Sequence, residues 1–227
     1  MDAPLALGEL GPVDFPTLGW QVIDWIEAYL CHGPGDVQGA PMRIDDEYAL
    51  FVCHAYRLRD DGRRATRRAF LSRPKGRAKS ELAAALSCAE ALGPVRFDGW
   101  DARGDPVGRP VVAPSVLNFA TAEGQAGNTY EAVRYMLLTG EVFRQYHLRE
   151  QQVGVTGTTL PGGGTITPET AADSSKDGGK ETFVVFDETH LWTLPRLHRL
   201  HSTVRRNLGK RKAAQPWALE TSTMYAP

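Results

Sequence analysis

Four bulky residues in a row, Phe183-Val184-Val185-Phe186, run straight into two acids, Asp187 and Glu188. An unbroken apolar run has no face for solvent, so it predicts a short strand buried on both sides, the kind found in parallel sheets covered by helices. Side chains alternate along a strand, so the adjacent carboxylates point in different directions and suit different tasks. Nucleotide hydrolases use such a pair: the first acid holds Mg²⁺, often through water, and the second polarises the attacking water. An isolated strand followed by acids is also common without that role, so a partner motif is needed.

That partner lies roughly a hundred residues upstream. Arg73-Pro74-Lys75-Gly76-Arg77-Ala78-Lys79-Ser80 lines up with G-x-x-x-x-G-K-[ST] at its Lys and Ser, with Arg73 and Ala78 in place of the two glycines. Its context is that of a phosphate-binding loop. Ala69-Phe70-Leu71 can serve as the strand before it. Glu81 to Leu92 is almost entirely good helix formers, with Leu82, Ala85, Leu86 and Ala89 at helical spacing and Gly93-Pro94 as the stop. In a strand, tight loop and helix, backbone N–H groups and the helix N-terminus face the phosphates while Lys79 supplies a point charge. The bland alternative, a basic surface turn before a core helix, loses weight once the acidic strand is counted with it.

The rest of the chain alternates strands and helices, which predicts one three-layer α/β domain with a mostly parallel sheet. Trp20 to Leu30 repeats apolar residues at helical spacing, and Asp45-Asp46-Glu47-Tyr48 opens a second helix whose acids suit its dipole better than a metal. Gly93 to Pro110, rich in Gly, Asp and Pro, reads as an exposed connector. Pro110-Val111-Val112-Ala113-Pro114-Ser115 reads as a short strand bounded by prolines, and Gln125 to Tyr130 leads into a helix through Leu137. Val153-Gly154-Val155, Thr158-Thr159-Leu160 and Thr165-Ile166 read as brief strands, the last two joined by Pro161-Gly162-Gly163-Gly164, and Asp173 to Lys180 as a polar loop. Ligand is then expected at the carboxyl ends of the strands, where the loop at 72–80 and Asp187-Glu188 converge.

A formal net charge of -1 over 227 residues hides strong segregation. Ten Lys/Arg against two Asp lie between Arg57 and Lys79, and seven against none between Arg196 and Lys212. This points to a polyanion partner beside a nucleotide, with a pair of solvated faces as the alternative. Leu197, Leu200 and Val204 predict that the second run is a helix with one packing face. Cys31, Cys53 and Cys88 are far apart without C-x-x-C spacing, which favours free thiols in a core and a reducing compartment. No signal-peptide pattern and no apolar run of transmembrane length appears, so a soluble intracellular protein is expected.

With these residues in place, the chain resembles the N-terminal ATPase portion of the tailed-bacteriophage large terminases, the motors that package DNA into capsids. The resemblance covers most of the chain, read as one terminase-like ATPase domain over 1–227. Arg73 to Ser80 is similar to the family's deviant Walker A, which tolerates a basic first position and a substituted second glycine. Asn118 to Tyr130 resembles a family segment after the next strand, and Thr182 to His190 resembles its Walker B with the catalytic Glu. Thr221-Ser222-Thr223 is similar to the family's coupling motif, a hydroxyl-rich strand end that senses the γ-phosphate. Gln21 stands where many terminases carry an adenine-recognition glutamine, and an exposed polar residue on a helix would look the same.

The resemblance implies a three-layer α/β/α P-loop NTPase of the additional-strand, catalytic-Glu type. It implies ATP and Mg²⁺ as cofactors, with Lys79 and Glu188 catalytic and Ser80 and Asp187 as metal ligands. Nucleotide contacts would come from Gln21, Arg73, Pro74, Lys75, Gly76, Arg77, Ala78, Lys79, Ser80, Thr221, Ser222 and Thr223. A further cation is needed for phosphoryl transfer, with Arg73, Arg77, Lys176, Lys180 or a neighbouring subunit as sources. Implied partners are double-stranded DNA, the portal protein, the small terminase subunit and further copies in a homo-oligomeric ring on the procapsid, with no membrane. The implied location is the cytoplasm of the infected bacterium, at the procapsid portal and outside the mature virion. Two departures stand out: the missing Walker A glycines, and the absence after Thr223 of the RNase H-like nuclease domain with which large terminases usually continue. No nuclease activity is expected, and a C-terminally shortened ATPase domain stays open. Two other readings remain. A helicase-like DNA translocase would need a second RecA-like domain, for which 227 residues leave no room. A catalytically idle DNA-binding or assembly subunit would have no use for Glu188. The uneven spacing of His190, His198 and His201, without cysteines, favours ordinary histidines over zinc ligands.

Overall fold

The computed structural model describes residues 5–6, 10–120, 123–170 and 179–224. Along the chain run β1 (Leu5–Ala6), α1 (Gly19–Tyr29), α2 (Asp46–Ala55), β2 (Arg68–Arg73), α3 (Lys79–Leu92), β3 (Arg96–Trp100), β4 (Pro106–Arg109) and β5 (Ser115–Ala120). Then come α4 (Glu123–Thr139), the single-turn α5 (Val142–Gln145), β6 (Thr158–Thr159), β7 (Thr165–Thr170), β8 (Phe183–Phe186), α6 (Pro195–Asn207) and β9 (Trp217–Thr223). Seven strands form one sheet in the order β1-β2-β9-β8-β5-β7-β6. Every neighbouring pair is parallel except β6 with β7. This is the expected α/β fold, and β9 is its additional strand, inserted between the loop strand β2 and the acidic strand β8.

All four residues of β8 are buried, and the pleat divides them between two cores. Phe183 and Val185 pack with α1, α3, α4 and the inward residues Trp217 and Leu219 of β9. Val184 and Phe186 face the other way, onto Leu117, Phe119, Trp192 and the α6 residues Leu197, Leu200 and Val204. Burying each of those three is worth about 1.5–3 kcal/mol, which holds an otherwise basic helix on the sheet. Every residue from Leu82 to Leu92 is buried, so the alanine-rich α3 is the central helix of the larger core. At the α1–α2 crossing only glycine fits: a Cβ on Gly19 would stand 2.4 Å from the Cα of Cys53. The three cysteines are buried and free. Among the described residues no helix is long and apolar enough to cross a membrane.

Three expectations are corrected. The stretch 93–110 is no plain connector but contains the antiparallel hairpin β3–β4, turned over Asp101, whose side chain accepts from the backbone N–H groups of Arg103 and Asp105 at 2.8 and 2.9 Å. The strand placed at 110–115 lies instead at Ser115–Ala120, and Val112 is 75% exposed. Val153-Gly154-Val155 forms one isolated bridge, Val153 to Thr158, and Val155 is 74% exposed. In the last two cases proline or glycine prevents a regular ladder where the apolar residues suggested one, whereas in the first the Gly- and Asp-rich residues form the turn of a paired hairpin. Most of the polar loop at 173–180 lies outside the described residues.

Nothing in the sequence announced the buried ionic cluster behind α3. Glu90, fully buried, accepts from Arg96 at 2.7 and 3.0 Å, from Tyr56 Oη and Trp217 Nε1 at 2.8 Å each, and from Arg64 at 3.3 Å. Burial alone would raise its pKa, but the Arg96 and Arg64 guanidiniums outweigh it and hold the carboxyl below its usual range. A depressed folded pKa means that this contribution is present above the usual carboxylate range and is lost as pH falls through the folded value. Glu90→Gln leaves two buried guanidiniums without a counter-charge, so it should cost about 3–5 kcal/mol of stability. Urea unfolding would measure this, and a loss under about 1 kcal/mol would contradict the cluster's role.

Candidate active site

Parallel register brings three strand ends to one edge of the sheet. Arg73 of β2 pairs with Thr223 of β9, and Phe186 of β8 pairs with Glu220 of β9. The loop 74–78 leaves β2 at this edge and turns into α3. Pro74 to Ala78 are exposed, whereas Lys79 is only 5% exposed. Lys79 Nζ donates to the Pro74 carbonyl at 3.2 Å, and among the described residues no carboxylate pairs with it. A buried ammonium with one neutral carbonyl partner is poised for an anion. Ala78 keeps the left-handed backbone, with φ 51°, that glycine would adopt at little cost; the methyl adds on the order of 1 kcal/mol of strain. Gly76, at φ 80°, supplies a second left-handed residue. From the other side α2 clasps the loop, with Tyr48 Oη donating to the Arg77 carbonyl and Glu47 ion-paired to Arg73.

Asp187, at the end of β8, is the hub. Ser80 Oγ lies 3.3 and 3.2 Å from its two carboxylate oxygens, Thr129 Oγ1 donates to Oδ2 at 2.6 Å, and Thr221 Oγ1 donates to Oδ1. The Glu188 N–H adds a donor at 3.1 Å. The carboxylate therefore collects hydroxyls from α3, α4 and β9, and Trp192 Nε1 fixes the Asp187 carbonyl at 3.0 Å.

Glu188 turns away from Asp187 because its own backbone is left-handed, with φ 51° and ψ 51°. For a residue with a side chain this costs on the order of 1 kcal/mol, a strain found mostly at functional positions. Its carboxylate is partly exposed. Thr223 Oγ1 donates to it at 2.7 and 3.1 Å, and His190 Nδ1 lies 3.1 Å from Oε2. The same His190 Nδ1 lies 3.2 Å from the Thr223 N–H and 3.4 Å from Ser222 Oγ. Thr221 thus attends to the first acid and Thr223 to the second.

The structure gathers Lys79, Ser80, Asp187, Glu188 and the strand end Thr221 to Thr223 into one site. Lys75, Gly76 and Arg77 lie on the exposed loop beside it. Arg73 is engaged by Glu47, and Lys180 is exposed; Lys176 lies outside the described residues. Gln21 is not brought into this cluster. Its amide is committed to β4, donating to the Pro106 carbonyl and accepting from the Gly108 N–H at 3.0 Å, so reading an adenine would require exchanging those bonds. Thr129 and His190 were missed as site residues, although both lie inside stretches that carried the resemblance.

No protein-family model matches the chain. It is 30% identical over 196 residues to the Gene 13 protein of Mycobacterium phage L5, and 28% identical over 196 residues to that of phage D29. Each match takes in 78% of this chain and 32% of the relative, so the chain spans about a third of the curated relatives' length. Among solved structures, the HK97 bacteriophage large terminase superimposes with a TM-score of 0.65 at 18% identity, over 91% of this chain and 38% of that one. The resemblance to phage large terminases read from the motifs is therefore matched by the fold.

Proposed function

We propose that this chain is the ATPase portion of a terminase large subunit, and that it hydrolyses ATP with Mg²⁺ to move double-stranded DNA into a procapsid. One observation carries the reading: Ser80, Thr129 and Thr221 converge on Asp187 beside a separately held Glu188, at the sheet edge where the Lys79 loop begins. The donor set fits the cofactors. Asp187 and the Ser80 hydroxyl offer hard oxygen ligands to Mg²⁺, and the buried Lys79 ammonium suits phosphate. Portal protein, small terminase subunit and a ring of further copies are the partners this reading carries with it.

Bound Mg²⁺ would neutralise charge shared between the β- and γ-phosphates. Lys79 would leave the Pro74 carbonyl and take the phosphate oxygens. Backbone N–H groups of 76–80 would cradle them, since a residue other than proline in place of a glycine keeps its N–H. Glu188 would orient the attacking water and accept its proton, with Thr223 and His190 positioning its carboxylate. Thr221 and Thr223 sit on one strand and touch both acids, so β9 would carry the state of the nucleotide toward the rest of the motor.

The test is phosphate release from ATP by this chain at rising protein concentration, with Mg²⁺ or EDTA, and with or without duplex DNA. Mg²⁺-dependent turnover that rises with DNA supports the reading, and a steep rise with protein concentration would mark a site completed between subunits. No turnover under any of these conditions would favour the idle DNA-binding or assembly subunit.

A further inference from the structure

The seven basic residues between Arg196 and Lys212 do not share one role. Arg211 is structural: its guanidinium donates to the Val112 and Ala113 carbonyls at 2.9 Å each, tying down the loop before β5. Lys210 Nζ donates to Asn207 Oδ1 at 2.7 Å, Arg205 is partly buried, and Lys212 lies beyond α6 in a separate single turn. What remains is a face of α6. Leu197, Leu200, Val204 and Asn207 are buried, while Arg196, His198, Arg199, Ser202 and Arg206 are exposed. Helical geometry places the three arginines on one side. No acid occurs between Pro195 and Lys212, and among the described residues no carboxylate pairs with Arg196, Arg199 or Arg206.

We infer that this strip of α6 docks on the phosphate backbone of duplex DNA, an inference that rests on the DNA-translocation reading and assigns it a surface. Charge complementarity is the argument for that occupant. Guanidiniums without a carboxylate partner, one of them donating to the Thr203 hydroxyl at 2.9 Å, suit phosphate oxygens beside a serine hydroxyl and an imidazole, and no Phe, Tyr or Trp is present on the strip for stacking on bases. Arg196 to Arg206 spans ten residues, about 15 Å of helix at 1.5 Å per residue. That matches about four base-pair steps at 3.4 Å.

The inner side of the same helix is seated on the catalytic strands. His201 Nε2 lies 3.3 Å from Glu220 of β9, and its ring is 4.5 Å from that of Phe186, the residue before Asp187. A duplex held on the outer strip would therefore press on the two strands that carry Asp187, Glu188 and Thr221 to Thr223. DNA should bind with little regard for sequence, weaken with salt through counterion release, and stimulate turnover through this helix.

The experiment compares the chain with a variant carrying Arg196→Ala, Arg199→Ala and Arg206→Ala. Anisotropy titrations use two unrelated duplexes across a salt series, with melting, nucleotide binding and basal turnover as controls. The variant should lose about tenfold or more in affinity on both duplexes. Its slope of log K against log salt should flatten by about 2 to 3, roughly one per phosphate contact. DNA stimulation of turnover should fall with it while the controls hold, and a matching triple Arg→Lys variant should keep most of the salt slope. If the parent binds duplex and the variant binds equally well, the inference is overturned while the DNA reading stands. If the parent binds no duplex at any salt, both are overturned. A variant that loses concentration-dependent assembly but keeps its DNA affinity would assign the strip to a neighbouring subunit and also overturn the inference.

Discussion

Lys79→Ala should abolish ATP hydrolysis, with turnover falling by about 10³-fold or more, the scale seen when a cation facing the transferred phosphoryl group is lost. Nucleotide binding should weaken by about 10- to 100-fold, since a charge-assisted hydrogen bond is worth about 1.5–3 kcal/mol. The fold should survive, because among the described residues the ammonium pairs with no carboxylate and its recorded partner is the Pro74 carbonyl. Single-turnover hydrolysis, nucleotide titration and thermal melting together separate these effects. Turnover like that of the parent would show that the loop at 73–80 does not hold the phosphates.

Glu188→Gln and Asp187→Asn should fail in different ways. The glutamine keeps the size of Glu188 and can still accept from Thr223 Oγ1, but it cannot take a proton. ATP should bind about as before while hydrolysis drops by about 10²-fold or more. Asp187→Asn is harsher because of what surrounds it. Hydroxyls of Ser80, Thr129 and Thr221 can rotate to suit a new neighbour, but the Glu188 N–H cannot. An amide NH₂ placed among these donors loses acceptor capacity as well as charge, so Mg²⁺-dependent binding should be damaged too. Nucleotide affinity measured with and without Mg²⁺ distinguishes the two, and identical behaviour would mean that the carboxylates do not divide the work.

What the sequence made legible was whatever is decided locally. β8 was readable because both its faces are buried, so composition alone marks it. The loop and α3 were readable because the lysine, serine and helix formers are contiguous. β5 was missed because Asn118 interrupts its apolar run. In the fold that polar residue is buried and accepts from Ser87 Oγ of α3 at 2.9 Å, a partner 31 positions away. The donors around the acids escaped for the same reason: Thr129 reaches Asp187 across 58 residues, and no spacing rule encodes such a contact. Arg73 looked free for phosphate until α2 brought Glu47 to it.

The place of β9 has a consequence for how the chain comes off the ribosome. Arg68 of β2 pairs with Ala218, a residue synthesised 150 positions later, and β8 waits for the same strand. Until residues 217–223 emerge, the two strands that carry the lysine loop and the acids have no bond to each other. The first half of the domain must wait with an unpaired apolar edge at Ala69 and Leu71, a contact-order penalty that slows closure and exposes a template for mispairing. The same delay acts as a safeguard. Thr221 and Thr223, which hold Asp187 and Glu188, arrive with the strand that closes the sheet, so the site on a growing chain is completed only when its β-sheet is.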